Sequence, residues 1–183
     1  LGDVYKRQQH GAARRIGKVG VNLSQTKRYM ELAALTGNRP LDCSYHAAFY
    51  LLSQEPELFE TARKCVTVDG IEFAKIKRLT KGFDETSRQI IDLAHNLFSW
   101  TGKCKVTPFD ISRLGYPYME QACNAIFIAS GEVQVQIQAA ENGEPEMLLD
   151  DSPYQRTQRV HRQIDQMWAE KLSGQDDTED MEH

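Results

Sequence analysis

The chain has 183 residues, 40% of them hydrophobic and 26% charged, and 22 Lys and Arg against 26 Asp and Glu give a formal net charge of −4. That length suits one domain with tails, and the composition can supply a buried core. No apolar run approaches the ~18–20 residues of a membrane span, so no membrane partner is expected.

Charge is unevenly placed. Residues 9–29 carry Arg14, Arg15, Lys18, Lys27 and Arg28 with no acid, while 173–183 carry five acids with no base. Punctuation then marks out helices in order. Asn22 is expected to cap a helix through Leu23–Leu35, stopped by Gly37 and Pro40. Asp42 caps a second, whose apolar face is Tyr45, Ala48, Phe49, Leu51 and Leu52. Pro56 opens a third, with Leu58, Phe59, Ala62, Cys65 and Val66 inward. After the Asp69-Gly70 turn, Ile71, Phe73, Ile76 and Leu79 mark a fourth, closed by Gly82. Asp84 or Thr86 caps the strongest helix, where apolar residues from Ile90 to Trp100 cover a face wide enough for the centre of the fold. Thr107-Pro108 opens a short helix with Phe109, Ile111 and Leu114 inward. Pro117 opens another that runs to Gly131.

Residues 132–138 alternate Val133, Val135 and Ile137 with polar neighbours, the period of a strand. No second strand-like run is evident, and a lone strand is unstable. Either the stretch extends the preceding helix or it pairs between chains; a short, weakly ordered extension is expected, followed by a polar linker over residues 139–152. Ser152-Pro153 starts a last amphipathic helix bearing Val160, Ile164, Met167, Trp168 and Leu172, with Gly174 as its stop and an acidic disordered tail beyond.

Few residues offer chemistry. His46 and Tyr50 stand i, i+4 on the second helix and His95-Asn96 sits mid-way along the strongest one. Two such helices can bring an imidazole, a phenol and an amide into one cleft for acid–base work. No phosphate loop or third catalytic member accompanies them, so a small enzyme is an alternative rather than the leading reading. Cys43 and His46 are spaced for one metal, but a closed site needs a second pair, so no metal and no cofactor are expected. The four cysteines (43, 65, 104 and 123) lack paired spacing and lie in apolar helical patterns, as in a reduced, cytoplasmic protein.

Arg14, Arg15, Lys18, Lys27 and Arg28 suit non-specific phosphate contact, which makes a nucleic-acid-associated protein the other alternative. The last helix is the stronger contact candidate. Its aromatic and methionine residues suit an interface anchor, which points to a protein partner or self-association through Val160, Ile164, Met167 and Trp168.

Two resemblances add context. Residues 1–8, LGDVYKRQ, match the translation of a transposase adapter used in shotgun sequencing libraries, which implies that the biological chain begins near Gln9. Over residues 40–130, Asp42, Tyr45 and Tyr50, then Gly70, Ile71 and Phe73, then Leu93, Ala94, Asn96, Leu97 and Phe98 follow in an order that resembles small helical proteins of unknown function from bacterial genomes, phages and mobile elements. The resemblance implies a helical fold and a genomic setting, and no activity.

The fold expected is all-α: a single orthogonal bundle of six to seven short helices with a peripheral C-terminal helix and flexible ends. The segments are an adapter scar (1–8), a basic leader and first helix (9–39), a helical core (40–131), a linker (132–152), an amphipathic helix (153–172) and an acidic tail (173–183). The function expected is that of a non-enzymatic accessory protein of a phage or mobile element, working through protein contacts.

Overall fold

The computed structural model describes residues 23–37 and 39–179, and over these the chain is predominantly helical, with two small antiparallel sheets of two strands each. Asn22, the adapter-like residues and the leader's Arg14, Arg15 and Lys18 lie outside the described residues. In chain order come α1 (Leu23–Ala34), α2 (Cys43–Leu52), α3 (Pro56–Arg63), β1 (Val66–Thr67), β2 (Gly70–Ile71), α4 (Phe73–Leu79), α5 (Glu85–Phe98), α6 (Pro108–Ser112), α7 (Tyr118–Ala129), β3 (Gln134–Ala139), β4 (Pro145–Asp150) and α8 (Ser152–Glu179).

Local chemistry starts the helices where the sequence indicates. The Asp42 carboxylate accepts from Tyr45 N at 3.0 Å and caps α2, and Asp84 does the same for α5 through Ser87 N at 2.9 Å. Thr107 and Asp110 close a reciprocal capping box around α6. Pro56 occupies the first turn of α3, where its missing N–H costs nothing.

The centre of the core is α2 rather than α5. Six consecutive residues, Ala47 to Leu52, are buried, so α2 has no water-facing side over its last turns. It packs most extensively against α5 and α7, and also meets α1 and α3. The sequence pattern marks Tyr45, Ala48, Phe49, Leu51 and Leu52 as one apolar face of α2; Ala47 and Tyr50, outside that face, are buried as well. Each of Phe49, Leu51 and Leu52 contributes roughly 1.5–3 kcal/mol by burial. The apolar run of α5 stops at Phe98, and Trp100 beyond it is 92% exposed. Phe109, also expected inward, is exposed, with the Arg113 guanidinium 5.4 Å above its ring.

The all-α expectation is corrected by the hairpins. Between Val66 and Ile71 the chain reverses in one short β-turn, with Val66 paired to Ile71. More consequential is the stretch expected as a helix extension and linker. There β3 pairs antiparallel with β4, with Val135 opposite Leu149 and Ile137 opposite Met147. The partner strand escapes a search for alternation because Met147, Leu148 and Leu149 are consecutive and acids surround them. The signal that finds it is Asn142-Gly143, a hairpin-loop pair: Gly143 has φ +77°, and the Asn142 side chain accepts from Glu144 N at 3.0 Å. The hairpin lies on α1. Met147 is fully buried there, its N–H donates to Thr26 Oγ1 at 3.2 Å, and Lys27 pairs with Glu144 at 2.9 Å. At the other end of the chain, Gly174 does not stop α8, which continues to Glu179 through part of the expected disordered tail.

If the hairpin is part of the core, Met147→Ala costs about 2–5 kcal/mol in urea unfolding. Ile137→Ala, on the exposed strand, costs less than about 1.5 kcal/mol. Equal, small effects would mean a hairpin that only rests on the surface.

Candidate functional site

The structure separates the residues expected to share a cleft. His46 lies against α1, where its ring stacks on Tyr29 with centroids 6.3 Å apart and its Nδ1 shares a hydrogen bond with the Tyr29 hydroxyl. Burial lowers the His46 pKa, against the opposing pull of the Leu41 carbonyl and Asp42. Burial also raises the Tyr29 phenol far above its ordinary value. Both groups are thus held neutral, and the phenol moves away from the range in which it could trade a proton near neutral pH.

Tyr50, one turn along α2, is sealed in the core, and its hydroxyl accepts from Asn124 Nδ2 on α7 at 3.2 Å. His95 turns towards α4 instead and stacks on Phe73 at 4.7 Å. Its pKa is lowered, by burial first and then by Lys77. Its Nδ1 is buried with no hydrogen-bond partner among the described residues. Asn96 donates to the Gly102 carbonyl at 3.0 Å and ties down the turn after α5. That turn is tight: a Cβ on Gly102 would meet the Ser99 and His95 carbonyl oxygens at 2.9 and 3.0 Å. Each of the four side chains therefore answers to a different neighbour, and none bonds another. Sequence reasoning did not name Tyr29 or Asn124 and did not pair Phe73 with His95, since these contacts join residues 17 or more positions apart.

Two open clefts lie along α4 and α5. One of about 570 Å³ lies beside Phe73, His95 and Phe98, with Lys75 and Arg78 on its rim. The other, about 450 Å³, mixes Lys81, Arg88 and Lys105 with Glu85 and a Lys77–Asp92 ion pair of 2.6 Å. Neither holds a nucleophile beside a base. Among the described residues no group of three His, Cys, Asp or Glu is placed to hold a metal ion, and all four cysteines are free.

The described part of the basic leader is occupied. Lys27 pairs with Glu144 on the hairpin. Arg28 donates from Nε to the Ser53 carbonyl at 2.7 Å and from Nη2 to the Gln54 carbonyl at 2.6 Å. These carbonyls lie at the C-terminal end of α2, where helix oxygens lack partners and the dipole favours a cation. Arg28 is a cap for a buried helix end.

The remaining candidate is α8. Asp150 accepts from Ser152 N at 3.0 Å at its start, and the Tyr154 N–H donates to the Glu132 carbonyl at 3.2 Å. The Tyr154 ring meets Phe127 at 6.4 Å. Beyond this root the helix leaves the body: every residue from 159 to 172 is exposed. Val160, Ile164, Met167, Trp168 and Leu172 fall on one face of it, with Met167 68% and Trp168 58% exposed. Lys171 Nζ lies 5.5 Å from the centre of the Trp168 ring. No helix among the described residues is long and apolar enough to cross a membrane. Set against protein-family models, curated proteins and solved structures, the chain matches none of them.

Two outcomes follow from these placements. Arg28→Ala leaves the Ser53 and Gln54 carbonyls short of donors and costs about 1–3 kcal/mol in urea unfolding. Arg28→Lys recovers only part of that, since an ammonium does not span both oxygens; a neutral Arg28→Ala would make this arginine a solvent-facing cation. Acid sensitivity is the second. His46 and His95 titrate below 6.5 in the folded chain, so the unfolded chain binds protons first. Their stabilisation is complete above pH 6.5 and is lost as the pH falls through the folded values. Asp84, Asp110 and Asp150, held below 3.8 by hydrogen bonds, stay ionised across that window. Urea midpoints on either side of pH 6.5 should therefore fall with acid, and less steeply in His46→Gln.

Proposed function

We propose that this chain is a non-enzymatic accessory protein that acts by protein contact through the projecting part of α8. One observation carries this reading: an unbroken exposed segment, residues 159–172, presents five large apolar side chains on one face. Burial of such a side chain is worth roughly 1.5–3 kcal/mol, and among the described residues the body leaves all five exposed. Tryptophan is enriched among binding hot spots and methionine at interfaces generally, and Trp168 and Met167 stand side by side on this face. The alternative of a His/Tyr/Asn cleft has no comparable support, since His46, Tyr50, His95 and Asn96 are each engaged elsewhere.

Trp168→Ala should leave the unfolding of the body within about 0.5 kcal/mol of the parent chain. A photoreactive phenylalanine in place of Trp168 should give protein adducts in the native cell, and Ile164→Asp should abolish them. A fall of several degrees in the unfolding midpoint of Trp168→Ala that is the same at every protein concentration would show that the face belongs to the chain's own core. Absence of any adduct from position 168 would equally end the reading.

A further inference from the structure

We propose that the occupant of this face is α8 of a second copy of the same chain, laid antiparallel across it. This rests on the reading of α8 as the contact surface and names its partner. The first support is the apolar pattern. A two-fold axis through the level of Gln166 brings Val160 beside Leu172 of the second copy and Ile164 beside its Trp168, and each pair is repeated on the other side of the axis. A two-fold interface requires such self-complementarity, because the same patch must serve as both surfaces.

The second support is charge. From Ser152 to Ile164 the helix carries Arg156, Arg159 and Arg162 and no acid. From Asp165 to Glu179 it carries Asp165, Glu170, Asp176, Asp177 and Glu179 against one base, Lys171. Antiparallel pairing lays the basic half of each helix along the acidic half of the other. Parallel pairing sets arginines against arginines and acids against acids. Flanking charges choose the orientation of paired helices in this way. Every residue from 159 to 172 is exposed, which leaves this stretch of α8 open to a partner helix.

Sedimentation equilibrium of the full chain should show a monomer–dimer equilibrium that weakens with added salt. Ile164→Asp should raise the dissociation constant at least about tenfold, the equivalent of about 1.4 kcal/mol. Because Ile164 is exposed, the unfolding midpoint of this variant should equal that of the parent when both are measured at a concentration low enough for the parent to be monomeric, which separates lost contact from lost fold. Orientation is read from spin labels at Gln163→Cys or Gln155→Cys, with the native cysteines replaced by serine. At 1.5 Å per residue, antiparallel helices separate the two labels along the axis by roughly 9 Å at position 163 and roughly 33 Å at position 155. Equal distances at both positions would overturn the antiparallel arrangement, and a dimer indifferent to Ile164→Asp would place the interface elsewhere. A monomer at every concentration overturns the second copy. If position 168 then still gives adducts with a different protein, α8 stands as a contact surface. If it gives none, both readings fall.

Discussion

The burial of α2 on all sides is the constraint from which most of this structure follows. A helix without a water-facing side must find partners for the carbonyl groups at its C-terminal end inside the protein. Here they come largely from α1: Gln25 reaches the Tyr50 carbonyl at 3.4 Å, and Arg28 bridges those of Ser53 and Gln54. Ser53 and Gln54 side chains add donors to the Tyr50 oxygen at 3.1 Å each. Meeting that demand fixes α1 on α2, and α1 then offers Thr26 and Lys27 to the hairpin. The hairpin ends at Asp150, whose carboxylate starts α8. The point from which α8 projects is thus set by a chain of contacts that begins at the end of a buried helix.

The same packing decides the role of the polar side chains. Tyr29 with His46, Tyr50 with Asn124 and Phe73 with His95 are three separate cross-helix pairs, each joining two elements. A buried polar group is tolerated when it is bonded, and in two of these pairs the bond is inter-helical. The lowered histidine pKa values and raised tyrosine values share one cause, the loss of solvent from the charged forms. Perturbed titration therefore marks packing in this protein, because the groups do not converge on a common space.

The root of α8 and its outer part are held by different physics. Near its start, the Tyr154 backbone bond, the Phe127 contact and the Asp150 cap anchor it. Further out, the support is local: Gln158 bonds the Tyr154 hydroxyl at 2.9 Å and Arg162 bonds Gln158 at 3.2 Å, each one turn apart. Such pairs stabilise a helix by a few tenths of a kcal/mol each, whereas tertiary burial is what ordinarily holds a helix in a protein. An exposed apolar face on a locally supported helix gains both burial and rigidity from a partner, which links the geometry of α8 to the contact role proposed for it.

Helix positions, their caps and the amphipathic face of α8 were legible in the sequence, because side chains such as Asp42, Asp84 and Thr107 act on backbone groups within three or four residues. The alternation of residues 133–137 was visible in the sequence, but the stretch was expected as a helix extension because no partner strand was evident. The partner was not legible, since pairing with Met147–Leu149 is a contact between distant residues and β4 has no alternation of its own to announce it. Tertiary structure also decided that α2 rather than α5 is central, because Ala47 and Tyr50 lie outside its apolar stripe and only packing buries them. It decided that Arg28 bonds the carbonyls of a helix end 25 residues away. And it decided that His46, Tyr50, His95 and Asn96 serve four neighbours rather than one site, since spacing along a helix sets the direction of a side chain but not which element packs against it.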